Sequence, residues 1–381
     1  MNLELLNNAF SLVKTPLLNG RYITNSHIEK CFNSYKKSRI NVLGKSVENR
    51  PIYGFKFGTG PIKILLWSQM HGNESTSTKA LFDCFNLFEK KDILVNSILE
   101  TCTLCVIPIL NPDGAEKYTR VNASKVDLNR DAQDLSQPES ILLREVYNDF
   151  QPNYCFNLHG QRTIFSAGEK NNIATLSFLS PAQDENRSLT PNRKVAMTII
   201  SEINDLLQQV IPESVGRYDD GFNINCVGDT FQSFGVPTIL YEAGHYANDY
   251  EREEVRRLMF ISILKGLEVI SKGIKEDKHI EYLAIPENAK CFYDVIIRNV
   301  RLCRDDRDFL DIGIQFHEVL KGGFVRFIPR IEVISKLIEK FGHKEVEANG
   351  GVVVVNGNNE FQEGSEIDFV LLNNEEISLY S

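Results

Sequence analysis

No stretch of the 381 residues approaches the roughly 18 consecutive apolar side chains that a membrane-spanning helix needs. The first thirty residues also lack a basic start, an uninterrupted apolar stretch and a small-residue cleavage site, so no secretory leader is expected. These two absences give the expectation of a soluble, cytoplasmic protein with no membrane partner. Positive charge is in deficit: 42 Lys and Arg face 51 Asp and Glu, and the formal net charge of −9 argues against nucleic-acid binding. There is no internal repeat and no low-complexity linker. The eight cysteines are scattered, and the only close pair, Cys102 and Cys105, lies in an apolar segment that reads as a buried strand, so a disulfide framework and a redox turn are both disfavoured. The N-x-S/T triplets at Asn73, Asn122 and Asn186 would matter only in a secreted chain.

What is present, 42% hydrophobic and 24% charged residues, is the composition of a globular protein with chain enough for more than one domain. Residues 1–40 show no strong periodicity and read as an extension packed on a main domain. From Pro51 to Phe57 and from Ile62 to Trp67 the pattern is that of strands, with Gly58-Thr59-Gly60-Pro61 as the turn between them. Ser75–Lys90 reads as a helix, Cys102–Ile109 as a strand ending at the turn Asn111-Pro112-Asp113-Gly114, Ser140–Phe150 as a helix, and Tyr154–Leu158 as a strand. A helix over Val195–Val210, a strand over Val236–Tyr241 and a helix over Tyr250–Ile270 continue the alternation. The expected fold is therefore α/β, with a mixed, largely parallel central sheet and helices on both faces. From Ile285 the texture changes. Phe292–Val300 and Asp311–Val319 read as strands, Asn349-Gly350-Gly351 and Asn356-Gly357 bracket four valines as a hairpin would, and only Ile331–Lys340 reads as helical. This tail carries 11 Lys and Arg against 17 Asp and Glu. The expected division is 1–40, 41–284 and a small β-rich region over 285–381.

In such sheets ligands bind beyond the carboxyl ends of the strands, and His71, Asn111, His159 and Glu242 all fall at predicted strand ends. His71 and Glu74 stand three residues apart, a spacing that lets an imidazole and a carboxylate meet on one helical turn and share a metal ion. Taken alone, H-x-x-E is also what a polar turn between strand and helix shows. A catalytic zinc needs a third protein ligand, and of the seven histidines His159, ending an apolar strand and followed by Gly160, suits that place best. The loop from Arg120 to Asp131 sets Arg120, Lys125 and Arg130 beside Asn129, donors suited to a carboxylate, though a solvated charged loop has the same composition. Glu242 follows the apolar Thr238-Ile239-Leu240, a position from which a carboxylate can take a proton from water at a metal.

Together these motifs resemble the zinc carboxypeptidase family of the pancreatic type, over roughly residues 40–270. The resemblance implies that His71, Glu74 and His159 hold one zinc ion per chain, that Glu242 is the general base, and that Arg120 stabilises the oxyanion. It further implies that Asn129 and Arg130 grip the terminal carboxylate of a peptide or peptide-like substrate, and it matches the family turn at Asn111–Gly114. The family's capping tyrosine has a weaker match, Tyr218, and the neighbourhood that sets side-chain preference, Asn225–Thr230, offers Asp229 as its one charged group. The implied activity is hydrolysis of an amide bond at the C-terminal end of a substrate with a free carboxylate. Related zinc amidases and acylases, of the murein peptide amidase or the aspartoacylase and succinylglutamate desuccinylase types, share parts of the pattern, and an inactive binding module is a further alternative. Oligomeric state is not legible.

Overall fold

Eight strands form one mixed sheet in a computed structural model of the chain: β1 (Ile40–Lys45), β2 (Pro51–Gly58), β3 (Ile62–Ser68), β4 (Cys102–Ile107), β5 (Tyr154–Gly160), β6 (Leu176–Leu179), β7 (Val215–Arg217) and β8 (Thr238–Ala243). Their order is β1-β2-β4-β3-β5-β8-β6-β7, and the central run β4-β3-β5-β8 is parallel. The structure describes every residue except Lys91, Lys275, Glu276, Arg304, Asp306, Asn359, Glu360 and Ser381.

Side chains alternate across a strand, so a strand buried on both faces must be apolar throughout. β3 illustrates this. Ile64 and Leu66 join one core with Phe55, Phe57, Leu104, Val106, Phe156 and Leu158, under the helices Thr76–Glu89, Pro191–Leu207 and Glu253–Lys272. Leu65 and Trp67 point the other way, into a second core with Ile52, Ile107 and Cys155, covered by Leu142 and Leu143 of the helix Pro138–Phe150 and by Phe231 of Val227–Ser233. The expectation of helices on both faces holds for this reason. A further helix, Ile93–Thr101, which the sequence pattern does not show, lies between Thr76–Glu89 and β4.

The first residues form a helix, Leu3–Val13, whose Leu6, Ala9, Phe10 and Val13 fall at helical spacing and are buried in the first core. Behind it a buried ion pair fixes the chain: Arg256 donates to both oxygens of Asp83 at 2.6 and 2.7 Å and to the carbonyls of Thr15 and Leu18, while Thr15 N–H donates to Asp83. Arg256 and Asp83 are both fully buried, so each charge depends on the other for solvation.

By compactness the chain divides into Met1–Gln161 with Ala174–Asn288, and Arg162–Ile173 with Ala289–Ser381. The second unit contains a four-stranded sheet in the order Phe324–Ser335, Leu310–Lys321, Phe292–Val300, Phe341–Glu347, and a three-stranded sheet of Val353–Val355, Val370–Leu372 and Glu375–Ile377. The helix expected over Ile331–Lys340 is absent. Ile331 lies in the strand Phe324–Ser335, which pairs along its length with Leu310–Lys321, and this ladder overrides a helix-compatible spacing of apolar residues. Pro329 is tolerated there because the strand is at a sheet edge. Asn356 and Gly357 do turn the chain, both at left-handed φ of 53° and 77°, but the valine strand finds its main partner in Val370–Leu372. Arg162–Ile173 joins this unit through Thr163, which accepts from Gln315 and His343, and through Ile164, whose carbonyl accepts from Phe292.

Replacing Asp83 by Ala strands the Arg256 guanidinium and is expected to cost about 3–5 kcal/mol in urea unfolding. A loss below about 0.5 kcal/mol, the range of ordinary surface changes, would contradict the role given to this pair.

Candidate active site

His71 lies three residues past β3, in a turn closed by Glu74 N–H donating to the His71 carbonyl at 3.1 Å. The helix starts only at Thr76, so this turn, rather than a helical face, brings the two side chains together. Its backbone is pinned from below. Gln69, at φ 43°, donates from Nε2 to the carbonyls of Gly72 and Ile23, and Asn111 donates to those of Gln69 and Met70. Asn111-Pro112-Asp113-Gly114 is a capped helix start rather than a free turn: Asn111 Oδ1 accepts from Gly114 N–H at 2.8 Å, and Pro112 opens the helix Pro112–Lys117. A Cβ on Gly72 would lie 2.0 Å from the backbone of Gly114, so only glycine allows this approach.

His159 and Glu242 are the last but one residues of β5 and β8 and are register partners in that parallel pair, which sets them side by side on one face. Gly160 is not needed for space, since an added Cβ would make ordinary contacts at 3.4 Å; its contribution is its N–H, which donates to Glu74 Oε2 at 3.0 Å.

Around this edge His71 Nδ1 lies 2.9 Å from Glu74 Oε1, His159 Nδ1 lies 2.9 Å from Glu74 Oε2, and the two Nδ1 atoms are 3.1 Å apart. Among the described residues, this is the group of three metal-ligating side chains whose donor atoms gather within 4.8 Å. Two imidazoles and a carboxylate are the donor set of a catalytic zinc, and the facing Nδ1 lone pairs are what a shared cation would satisfy. Burial opposes protonation of His71, but the Glu74 carboxylate and hydrogen bonds to Asp127 and Glu74 outweigh it and push the imidazole up to about 9. His159 goes the other way: burial lowers its proton affinity despite Glu74, and its Nε2 is buried without a partner. Burial would raise Glu74, yet the two imidazoles hold its carboxyl well below the usual range.

Burial, and then the charge of Glu74, push the Glu242 carboxyl well above the usual range, and its Oε2 is buried with no hydrogen-bond partner. A raised proton affinity is the direction of shift that suits a carboxylate to accept a proton. Tyr218 lies close enough that Glu242 and Glu74 raise its phenol further after burial has done so, which sets it in the same electrostatic neighbourhood.

The loop Arg120–Asp131 meets the cluster through a residue to which the motif reading assigned no role. Asp127 Oδ1 is 3.0 Å from His71 Nε2, and its Oδ2 accepts from Arg120 Nε at 3.0 Å. One carboxylate thus orients the imidazole and holds the arginine, which also reaches Glu74 at 3.5 Å. Asp127 carries a local signal in the sequence, its position two residues before Asn129, whose N–H it accepts at 2.9 Å, but nothing there indicates contact with His71. Asn129 Oδ1 is engaged by Val227 N–H at 3.0 Å, which leaves its amide NH₂ as the free face. Arg130 is exposed, bonded to the Asn129 carbonyl and to Cys226 Sγ. Asp229 is buried in the first turn of Val227–Ser233, and burial pushes its carboxyl up to about 6.

Residues 25–256 match the zinc carboxypeptidase (peptidase M14) family. The chain belongs to that family. It is 31% identical over 163 residues to carboxypeptidase SOL1 of Arabidopsis thaliana, covering 36% of this chain and 33% of that protein. It is 28% identical over 174 residues to human carboxypeptidase D, covering 39% of this chain and 13% of that one. The matched part is thus a third or less of these relatives' length. Among solved structures, carboxypeptidase A of Helicoverpa armigera superposes with a TM-score of 0.53 at 18% identity, over 72% of this chain and 81% of that chain, which shows the shared fold. The mixed sheet with flanking helices is therefore the zinc carboxypeptidase fold.

Replacing Asp127 by Ala frees His71 from its orienting bond and is expected to weaken zinc binding about 10- to 100-fold by calorimetric titration. Wild-type affinity would show that Asp127 does not hold the ligand.

Proposed function

We propose that this chain is a zinc-dependent metallocarboxypeptidase that hydrolyses the amide bond at the C-terminal end of a peptide or peptide-like substrate bearing a free carboxylate. The observation that carries this is the gathering of His71, Glu74 and His159 at one sheet edge with Glu242 in register beside His159. His71, Glu74 and His159 would hold one zinc ion per chain. When bound, that ion supplies a Lewis acid that lowers the cost of deprotonating water and of placing negative charge on a carbonyl oxygen.

The chain's own groups carry the remaining steps. Glu242, whose proton affinity is raised by burial and by Glu74, accepts the proton of the attacking water and returns it to the leaving amine. Arg120 is half exposed and presents donors beyond those given to Asp127, so it can stabilise the developing oxyanion. The free amide of Asn129 and the exposed guanidinium of Arg130, adjacent on one short helical turn, would bind the two oxygens of the terminal carboxylate. Tyr218, near Glu242, would close over the substrate.

The test is a panel of C-terminal peptides, muropeptides and N-acyl amino acids on zinc-loaded protein. Peptides should be hydrolysed, a chelator should abolish turnover, and zinc should restore it. Preferential hydrolysis of muropeptides or N-acyl amino acids would assign the chain to the amidase or acylase types, and a protein that takes up no zinc would point to a binding module. Changing Glu242 to Gln is expected to keep zinc and lower kcat by about 10²- to 10⁴-fold; near-normal turnover would remove Glu242 as the base. Changing Arg130 to Ala should raise KM for substrates with a free carboxylate and leave amidated ones unaffected, whereas equal loss on both would argue against the carboxylate clamp.

A further inference from the structure

Parallel strands leave carbonyl groups unpaired where the ladder stops, and a sheet edge that carries a site must satisfy them without blocking it. The ladder between β5 and β8 reaches its last register pair at Gly160 and Ala243, one residue beyond His159 and Glu242. One more bond follows, Gln161 N–H to the Ala243 carbonyl at 2.9 Å. There a guanidinium takes over. Arg252 donates from one terminal nitrogen to the Ala243 carbonyl and from the other to the Gln161 carbonyl, bridging the ends of both strands. Its side chain is only 3% exposed, so both bonds form out of water, where a charged donor to a carbonyl is strong.

The anchor of this bridge is itself fixed. Arg252 has left-handed φ of 55° and immediately precedes the helix Glu253–Lys272. Asp249 accepts from the N–H groups of Glu253, Glu254 and Val255 at 2.8, 2.9 and 3.0 Å, and its carbonyl accepts from Arg252 N–H. The Tyr250 carbonyl is held by Arg21 and the Glu251 carbonyl by buried Lys79, each at 3.1 Å. Every residue from Asp249 to Arg252 is thus tied to a helix of the core or to the N-terminal segment, and the guanidinium reaches the strand ends from a rigid base.

We infer that Arg252 is a positioning residue: it straps the carboxyl ends of β5 and β8 and thereby fixes His159 relative to Glu242. The inference rests on the reading of His159 as a zinc ligand and Glu242 as the base. Arg suits this place because its planar fork meets two carbonyls at once, which the compact ammonium of Lys cannot do with the same geometry. Loss of the strap removes no group that touches substrate but lets the strand ends that carry His159 and Glu242 separate, and small displacements of that kind are costly for turnover.

The test uses the full chain with Arg252→Met, which is apolar and of similar length, and Arg252→Lys, which keeps the cation and one carbonyl bond. In the zinc form Arg252→Met should lose about 10- to 100-fold in kcat with KM changed less than about threefold, and Arg252→Lys should recover part of that loss. Loaded with Co²⁺ in place of zinc, Arg252→Met should show a visible absorption spectrum changed in position or intensity, because His159 is no longer held in place. A folded Arg252→Met protein with wild-type kcat and a wild-type cobalt spectrum overturns the inference. So does a loss of turnover that tracks only the loss of folded protein. Should Arg252→Met not fold, Arg252→Lys decides: reduced kcat with an altered spectrum supports the strap, and wild-type values of both contradict it. If the wild-type protein hydrolyses no peptide, the proposed activity fails, while the cobalt spectra still decide the role of Arg252.

Discussion

Two imidazole nitrogens 3.1 Å apart, both within 2.9 Å of one carboxylate, are the constraint around which this molecule is arranged. Such a concentration of lone pairs in a nearly closed space is unfavourable unless a proton or a cation lies among them. Its surroundings act to keep it. Gly72 permits contact with Gly114, Asn111 ties down the turn, Asp127 orients His71, and Gly160 N–H fixes Glu74. Each of these groups belongs to a different segment of the chain, so the site is a product of the sheet edge as a whole.

The sheet makes that edge possible. Because β3, β5 and β8 lie together in the parallel run, the chain can deliver His71, His159 and Glu242 to the same end from points far apart in sequence. The two cores on opposite faces hold the strands in register, and the Arg256–Asp83 pair secures the N-terminal segment and the helices beneath. Electrostatics then separates the roles. Burial lowers the proton affinity of His159 and raises that of Glu242, while the charged and hydrogen-bonding neighbours of Glu74 and Asp127 hold those carboxyls below their usual range.

Much of this could be read from the sequence because the informative residues sit at the ends of apolar runs. Strand periodicity located β3, β5 and β8, and the side chains following or ending them were the ones that converged. What could not be read depends on contacts between distant segments. Asp127 is local to Asn129 but reaches His71, 56 residues away, and nothing in the spacing signals that bond. The strand Phe324–Ser335 looks helical over Ile331–Lys340 until its ladder partner is known. The burial of Leu3–Val13 depends on a stripe of four residues, Leu6, Ala9, Phe10 and Val13, and the exposed Leu5 and Leu12 on the other side blur that stripe in the sequence. Nor does composition mark Arg162–Ile173, which leaves the main sheet just past Gly160 and packs with residues more than a hundred positions later.

The account turns on a metal ion held by three named side chains. An anomalous difference map collected at the zinc absorption edge, from crystals of zinc-loaded protein, tests it most directly. The account predicts one strong peak per chain among His71, Glu74 and His159, at about 2.0–2.2 Å from the imidazole nitrogens and the carboxylate. A peak bound elsewhere, or none at this edge in protein that carries zinc, would contradict it.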